Sequence, residues 1–222
     1  MSRLFRYLPE KYLASTLDGN VLFRSLSYYR DYERDSVRGD YLEGNRAFRP
    51  DTGLLLTNVE TGEKFLLPRE HFQPKVNSED IFVSCMSTDL KTDLFEEFDT
   101  TVCVEILDPE KFVEAIRVAV EKEHGKTNSD RLIAKSVDYY RPSDPIGATW
   151  ALPERIVFSK EERYSRQAEH RIAFPTNDGF KFENVNIEIG DFSKAKREGV
   201  IHKTFLASIG DIRKLAKVHR KS

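Results

Sequence analysis

Short apolar runs broken by turn residues fill most of this chain. One stretch alone has the length and periodicity of a multi-turn helix. It opens at Asp108-Pro109-Glu110, where a capping carboxylate, a proline and an acidic residue all suit a first turn. Phe112, Ala115, Ile116 and Ala119 supply its apolar face, and His124-Gly125 ends it. The other runs have strand length. They fall at Leu4–Leu8 (closed by Pro9), Val21–Phe23, Ile81–Met86, Thr100–Leu107, Leu132–Tyr139, Gln167–Phe174, 180–189 and 200–206. Leu54 to Leu67 reads as a hairpin turning at Glu60-Thr61-Gly62-Glu63. Tyr12, Leu13 and Leu17 mark a short helix between the first two strands, ended by Asp18-Gly19-Asn20. Residues 160–166 predict a charged turn or short helix, and Gly210–Val218 a last helix. A strand–helix unit followed by many short strands predicts an α+β fold rather than alternating α/β. No glycine-rich fingerprint follows the first strand, so neither a dinucleotide-binding βαβ unit nor a phosphate-binding loop is indicated.

At 222 residues the chain suits one domain, read here as 1–222 with a long irregular segment at about 25–52. The net charge of −2 points to neither a polyanion nor a membrane surface as a global partner. Two cysteines, Cys85 and Cys103, exclude a disulfide scaffold and a four-cysteine zinc site, and both read as inert buried thiols. His71, His124, His170, His202 and His219 lack metal-ligand spacing, so no metal is expected. No apolar run approaches the ~20 residues of a spanning helix. The opening MSRLFRYLPEKY has no uninterrupted apolar stretch of the kind a secretory signal needs. A cytoplasmic protein with no membrane partner is expected.

The most informative segment is Arg163-Tyr164-Ser165-Arg166-Gln167-Ala168-Glu169-His170-Arg171-Ile172-Ala173-Phe174. Read as a strand, it turns Gln167, Glu169, Arg171 and Ala173 to one side. Ala168, His170, Ile172 and Phe174 turn to the other, more apolar side. Gln167 and Glu169 then stand side by side, roughly 7 Å apart at their Cα atoms. The carboxylate can stabilise a developing cation or bind a hydroxyl. The amide can hold a second substrate through its donor and acceptor groups. On such a face Glu169 also has ordinary partners in reach, Arg171 or a lysine.

Gln-x-Glu at the head of a strand resembles the catalytic signature of mono-ADP-ribosyltransferases. RYSRQAEHRIAF is similar to the corresponding stretch of DarT-type toxins. The opening RLFRYLPEKYLASTLDGNVLFRSL and Asp80–Ser87 resemble the first strand–helix–strand unit and the central strand of related uncharacterised bacterial proteins. These segments touch less than half the chain. Two features depart from the pattern: Pro9 sits near the place of a first-strand histidine, and no clean Ser-Thr-Ser triplet appears, Ser84 and Ser87-Thr88 being nearest.

The resemblance implies an ADP-ribosyltransferase-like split sheet, mainly antiparallel, with peripheral helices. It implies NAD as ADP-ribose donor and a DNA or RNA base as acceptor, in a bacterial toxin or phage-defence setting with a possible antitoxin partner. Glu169 would stabilise the oxocarbenium-like ribose, with Arg38 as second catalytic residue and Arg46 and Arg34 as rivals for that place. Arg6, Arg24 and Ser84 would contact NAD. Gln167, Tyr28 and Tyr29 would contact the acceptor or a ring, with Phe48 as a further stacking candidate. The arginine- and aromatic-rich segment from Arg24 to Arg49 and the basic tail from Arg213 to Lys221 are candidate polynucleotide surfaces. Alternative readings are a non-catalytic nucleic-acid-binding protein, an NAD glycohydrolase, and an ADP-ribosyltransferase that targets protein.

Overall fold

The computed structural model describes residues 3–31, 44–145, 147, 152–190 and 201–221. Strand β1 (Leu4–Leu8), helix α1 (Leu13–Leu17) and strand β2 (Asn20–Ser25) form the predicted opening unit. Gly19 ends α1 with φ +85°, and a Cβ there would fall 1.8 Å from the Gly210 carbonyl oxygen. No side chain fits at Gly19, because backbone occupies the space it would need. Helix α2 (Leu26–Asp31) follows, then the hairpin β3 (Leu54–Thr57) and β4 (Lys64–Leu67). Next come β5 (His71–Val76), β6 (Ile81–Ser87), α3 (Thr92–Glu97), β7 (Val102–Ile106) and α4 (Pro109–His124). The Asp108 side chain caps α4 by accepting from the Lys111 N–H at 3.2 Å, and Gly125 closes it at φ +83°.

The chain continues through α5 (Lys126–Asp130), β8 (Ile133–Ser136), β9 (Asp138–Tyr140), α6 (Pro153–Val157) and β10 (Ser159–Glu161). A 3₁₀ turn (Glu162–Gln167), β11 (Glu169–Pro175), β12 (Val185–Gly190), β13 (Thr204–Ser208) and β14 (Ala216–Arg220) complete it. The result is α+β with a mainly antiparallel sheet. Eight strands form the main sheet, and β6 is its junction. One edge of β6 pairs along its length with β11, from Glu169↔Ser87 to Pro175↔Ile81, and β8 lies beyond β11. The other edge is shared by two strands. β2 pairs at Arg24↔Val83 and Ser25↔Phe82, and β1 pairs at Phe5↔Ser87. The two strands part beside Ser84, Cys85 and Met86. β13 extends the β2 side, while β7 and β14 extend the β1 side.

Each face of the sheet is packed differently. The face carrying Leu4, Phe23, Phe82, Val104, Ile172 and Phe174 lies under α4, whose Phe112, Ile116 and Val120 join that core. The opposite face holds two smaller clusters. One gathers Phe5, Tyr7 and Cys103 under Leu94 and Phe95 of α3; the other gathers Val83 and Ala173 with Leu26, Ile156 and Phe158. The residues at the Ser87 end of β11 lie between these two clusters.

Several sequence expectations need correction. Gly210–Val218 does not form a helix: a 3₁₀ turn at Arg213–Leu215 leads into β14, which pairs with the edge of β7. Pairing with an open edge overrides helical preference there. Leu132–Tyr139 divides into β8 and β9, which join different sheets. Strand β5 was unexpected because Pro74 and Lys75 interrupt its pattern; it pairs with β12, where an outer strand tolerates proline. No helix among the described residues is long and apolar enough to cross a membrane.

Phe174 is fully buried and stacks on Phe82 with ring centroids 5.3 Å apart. Phe174→Ala should lower the free energy of unfolding by about 3–5 kcal/mol, read as a reduced urea midpoint.

Candidate active site

The site forms where β1 and β2 part. A cavity of about 640 Å³ opens there. One wall comes from the β1–α1–β2 unit, through Arg6, Thr16 and Arg24. The other comes from β6, β10, the 3₁₀ turn and the start of β11, through Ser87, Lys160, Gln167 and Glu169. Arg6 reaches across the parting and donates to the Ser84 hydroxyl at 3.0 Å. Ser84 is buried behind Arg6 and is not among the lining residues. It therefore holds the arginine and is not placed to touch a ligand in the cavity.

Glu169 lies on the cavity floor with 6% of its surface exposed. Arg171 Nε donates to its Oε1 at 2.6 Å, and Lys160 Nζ donates to its Oε2 at 2.8 Å. Arg171 is 0% exposed and also donates to the Val157 carbonyl. Burial alone would raise the Glu169 pKa, but the Arg171 guanidinium and the Lys160 ammonium outweigh it and hold the carboxyl far below the usual range. The carboxylate is thus ionised at neutral pH despite its burial.

Gln167 does not share a strand with Glu169. It ends the 3₁₀ turn, and Ala168 reverses the chain in the left-handed region at φ +44° and ψ +49°. Such a conformation costs a non-glycine residue roughly 1–2 kcal/mol. The end of β6 holds it in place. Ser87 Oγ donates to the Gln167 carbonyl at 2.8 Å, and the Thr88 N–H donates to the Ala168 carbonyl at 2.8 Å. Gln167 and Glu169 nonetheless meet, because Lys160 Nζ also donates to Gln167 Oε1 at 3.0 Å. Glu169, Arg171 and Ala173 do face one side of β11, and Ile172 and Phe174 face the α4 core.

Arg24, Tyr28 and Tyr29 line the same cavity. The Arg24 guanidinium sits 4.2 Å above the Tyr28 ring, and Tyr28 meets Tyr29 edge-on. Arg46 and Phe48 do not line it: Arg46 donates to Ser159 Oγ at 3.3 Å, and Phe48 bridges to Phe72. Arg34, Arg38, Tyr32 and Tyr41 lie outside the described residues. The basic tail is laced with acids, Arg213 pairing with Asp18 and Asp211, Arg220 with Glu10, and Lys221 with Glu96. Cys103 is buried, and burial, with Glu105 behind it, pushes its thiol up to about 12. Cys85 departs from expectation, being half-buried and part of the cavity wall. Among the described residues, no group of three or more His, Cys, Asp or Glu side chains is arranged to hold a metal.

The sequence reading missed Lys160, Glu97 and Tyr139. Glu97 Oε1 accepts from Gln167 Nε2 at 2.9 Å, and the Tyr139 hydroxyl accepts from the Glu169 N–H at 2.8 Å. Lys160 directly follows the buried run Ile156–Ser159. A lysine adjoining such a run was the one available signal. Compared with protein-family models, curated proteins and solved structures, the chain shows no match.

Removing one member of the buried ion cluster strands its partners. Arg171→Met should destabilise the fold by about 3–5 kcal/mol, measured by chemical denaturation at pH 7. His170 supplies a pH dependence. Burial lowers its pKa from 6.5 to about 4, so the folded chain holds it neutral while the unfolded chain protonates it below 6.5. Stability should be full above pH 6.5 and fall by on the order of 2–3 kcal/mol as the pH drops toward 4. His170→Asn should flatten that slope in a series of thermal melts.

Proposed function

We propose that this chain is an NAD-dependent mono-ADP-ribosyltransferase whose acceptor is a DNA or RNA base. The observation that carries the reading is the convergence of the Glu169 carboxylate, the Gln167 amide and the Arg6 guanidinium on one cavity, at the place where two strands part along β6. The proposed fold is accordingly the split sheet of ADP-ribosyltransferases. About 640 Å³ falls within the size range of small-molecule and cofactor sites. Arg6 and Arg24 offer paired donors suited to a pyrophosphate.

In the reaction, the bond between nicotinamide and the ribose carbon breaks, and its electron pair leaves with nicotinamide as a neutral group. The ribose carbon becomes oxocarbenium-like, then bonds to a nitrogen or oxygen of the acceptor, which releases a proton. Glu169 accepts a hydrogen bond from a ribose hydroxyl and stabilises the positive charge. Each of its oxygens has a second acceptor direction beyond the bonds to Arg171 and Lys160. The two cations weaken its field but keep it ionised although it is almost fully buried. Gln167 meets the acceptor base through its amide edge. An enzyme of this kind would act as a cytoplasmic toxin or defence effector, with an antitoxin as a possible partner.

A second reading rests on the charge of the same site. Among the described residues that line the cavity, Arg6, Arg24 and Lys160 stand against one carboxylate, with Arg171 behind it. That surplus suits a phosphate-bearing ligand or polynucleotide bound without turnover. Incubation with labelled NAD and with DNA, RNA or cell protein separates the readings. Label on a polynucleotide supports the transferase; binding without NAD consumption supports the second reading. Glu169→Gln, with folding matched by circular dichroism, should lower etheno-NAD turnover by about 10²–10³-fold. Unchanged turnover removes Glu169 from the chemistry.

A further inference from the structure

We infer that Lys160 is a positioning residue that, together with Glu97, locks the Gln167 amide in one orientation and ties it to Glu169. The two ends of a side-chain amide have nearly the same shape, so its orientation is set by what surrounds it. Here the surroundings differ in charge. The Lys160 ammonium has only donors and faces Gln167 Oε1 at 3.0 Å. The Glu97 carboxylate faces Gln167 Nε2 at 2.9 Å. A flip would set N–H groups against an ammonium and a carbonyl oxygen against a carboxylate, which is repulsive on both sides.

The same ammonium bonds Glu169 Oε2 at 2.8 Å, so one atom joins both members of the Gln-x-Glu pair. Its stem is fixed as well. Lys160 is 4% exposed, lies in β10 opposite Tyr139 of β9, and keeps its ammonium 4.9 Å from the Tyr164 ring centroid. Glu97 arrives from α3, which is also tied to the turn by Arg166 Nη2 donating to Asp93 at 2.7 Å. Two elements, β10 and α3, therefore hold the two ends of the amide and set the face that Gln167 presents. Beyond those two bonds the amide retains one N–H and one lone pair, a donor beside an acceptor.

The orientation of the amide stands on this geometry alone; its effect on transfer rests on the activity proposed above. The chain contains two glutamines, Gln73 and Gln167. Nitrogen-15 labelling of glutamine in the full chain thus gives two side-chain amide pairs in an NMR spectrum, and Gln73 reports on the fold. Lys160→Met should shift or split the Gln167 signals and leave those of Gln73 in place. Lys160→Arg, which keeps donors, should return them toward the wild-type position, and Glu97→Ala, which adds no third glutamine, should displace them from the other side. If Lys160→Met unfolds the chain, both pairs collapse and Glu97→Ala decides the matter. Gln167 signals unmoved in Glu97→Ala, and in Lys160→Met where it folds, overturn the inference. Where the wild type turns over NAD, Lys160→Met should lower transfer to the acceptor by about 10²-fold through kcat, with KM for NAD little changed. A wild type inert toward NAD removes the proposed activity, and the NMR result still decides the role of Lys160.

Discussion

A carboxylate buried between an ammonium and a guanidinium organises this molecule. Glu169 is shielded from water yet charged, a state that an apolar interior permits only with paired and hydrogen-bonded cations. Its partners come from two strands of different sheets, Lys160 on β10 and Arg171 on β11. The cluster lies between the two smaller apolar clusters of its face, so the main sheet has a charged seam where a continuous core would otherwise run. The seam meets the cavity at the one place where β6 exchanges one neighbour for another. Packing on both sides and pairing at the junction thus fix the site.

The junction explains why strand topology matters more here than strand count. A continuous edge pairing would leave no room beside Ser84, Cys85 and Met86. Two strands sharing that edge open a space between them, and α1 crosses above it and contributes Thr16 to its wall. Arg6 bridges the opening to Ser84, which keeps a cationic group at the parting without closing it. This arrangement underlies both the proposed chemistry and the alternative of ligand binding without turnover.

Much of the framework was legible because it follows local rules. The capped helix α4, the opening strand–helix–strand unit and the hairpin β3–β4 each carry their own signals in capping, periodicity and turn residues. The last strand was not legible. Gly210–Val218 has helix-compatible residues, and only the open edge of β7 makes part of it extended. The site was half legible for a similar reason. Period-two reading brought Glu169 and Arg171 to one face and left Gln167 beside them for the wrong reason, since the two motif residues meet through Lys160 rather than along a strand. Lys160, Glu97 and Tyr139 reach the site by tertiary contacts that no local spacing encodes. Ser84 meets Arg6 and does not line the cavity, since a polar residue on a central strand can hold a neighbouring side chain without bordering the open space beside it.

The left-handed turn at Ala168 has a consequence for how the motif should be read. Between Gln and Glu the middle letter is not a blank, because the backbone there must double back before the strand begins. Valine, isoleucine and threonine are poorly suited to that geometry, whereas glycine and asparagine adopt it with less cost. A Gln-Val-Glu on an ordinary strand would space the same letters without bringing them to a common ammonium, so the middle residue, whose backbone bonds Ser165 and Thr88, helps decide whether the pair meets.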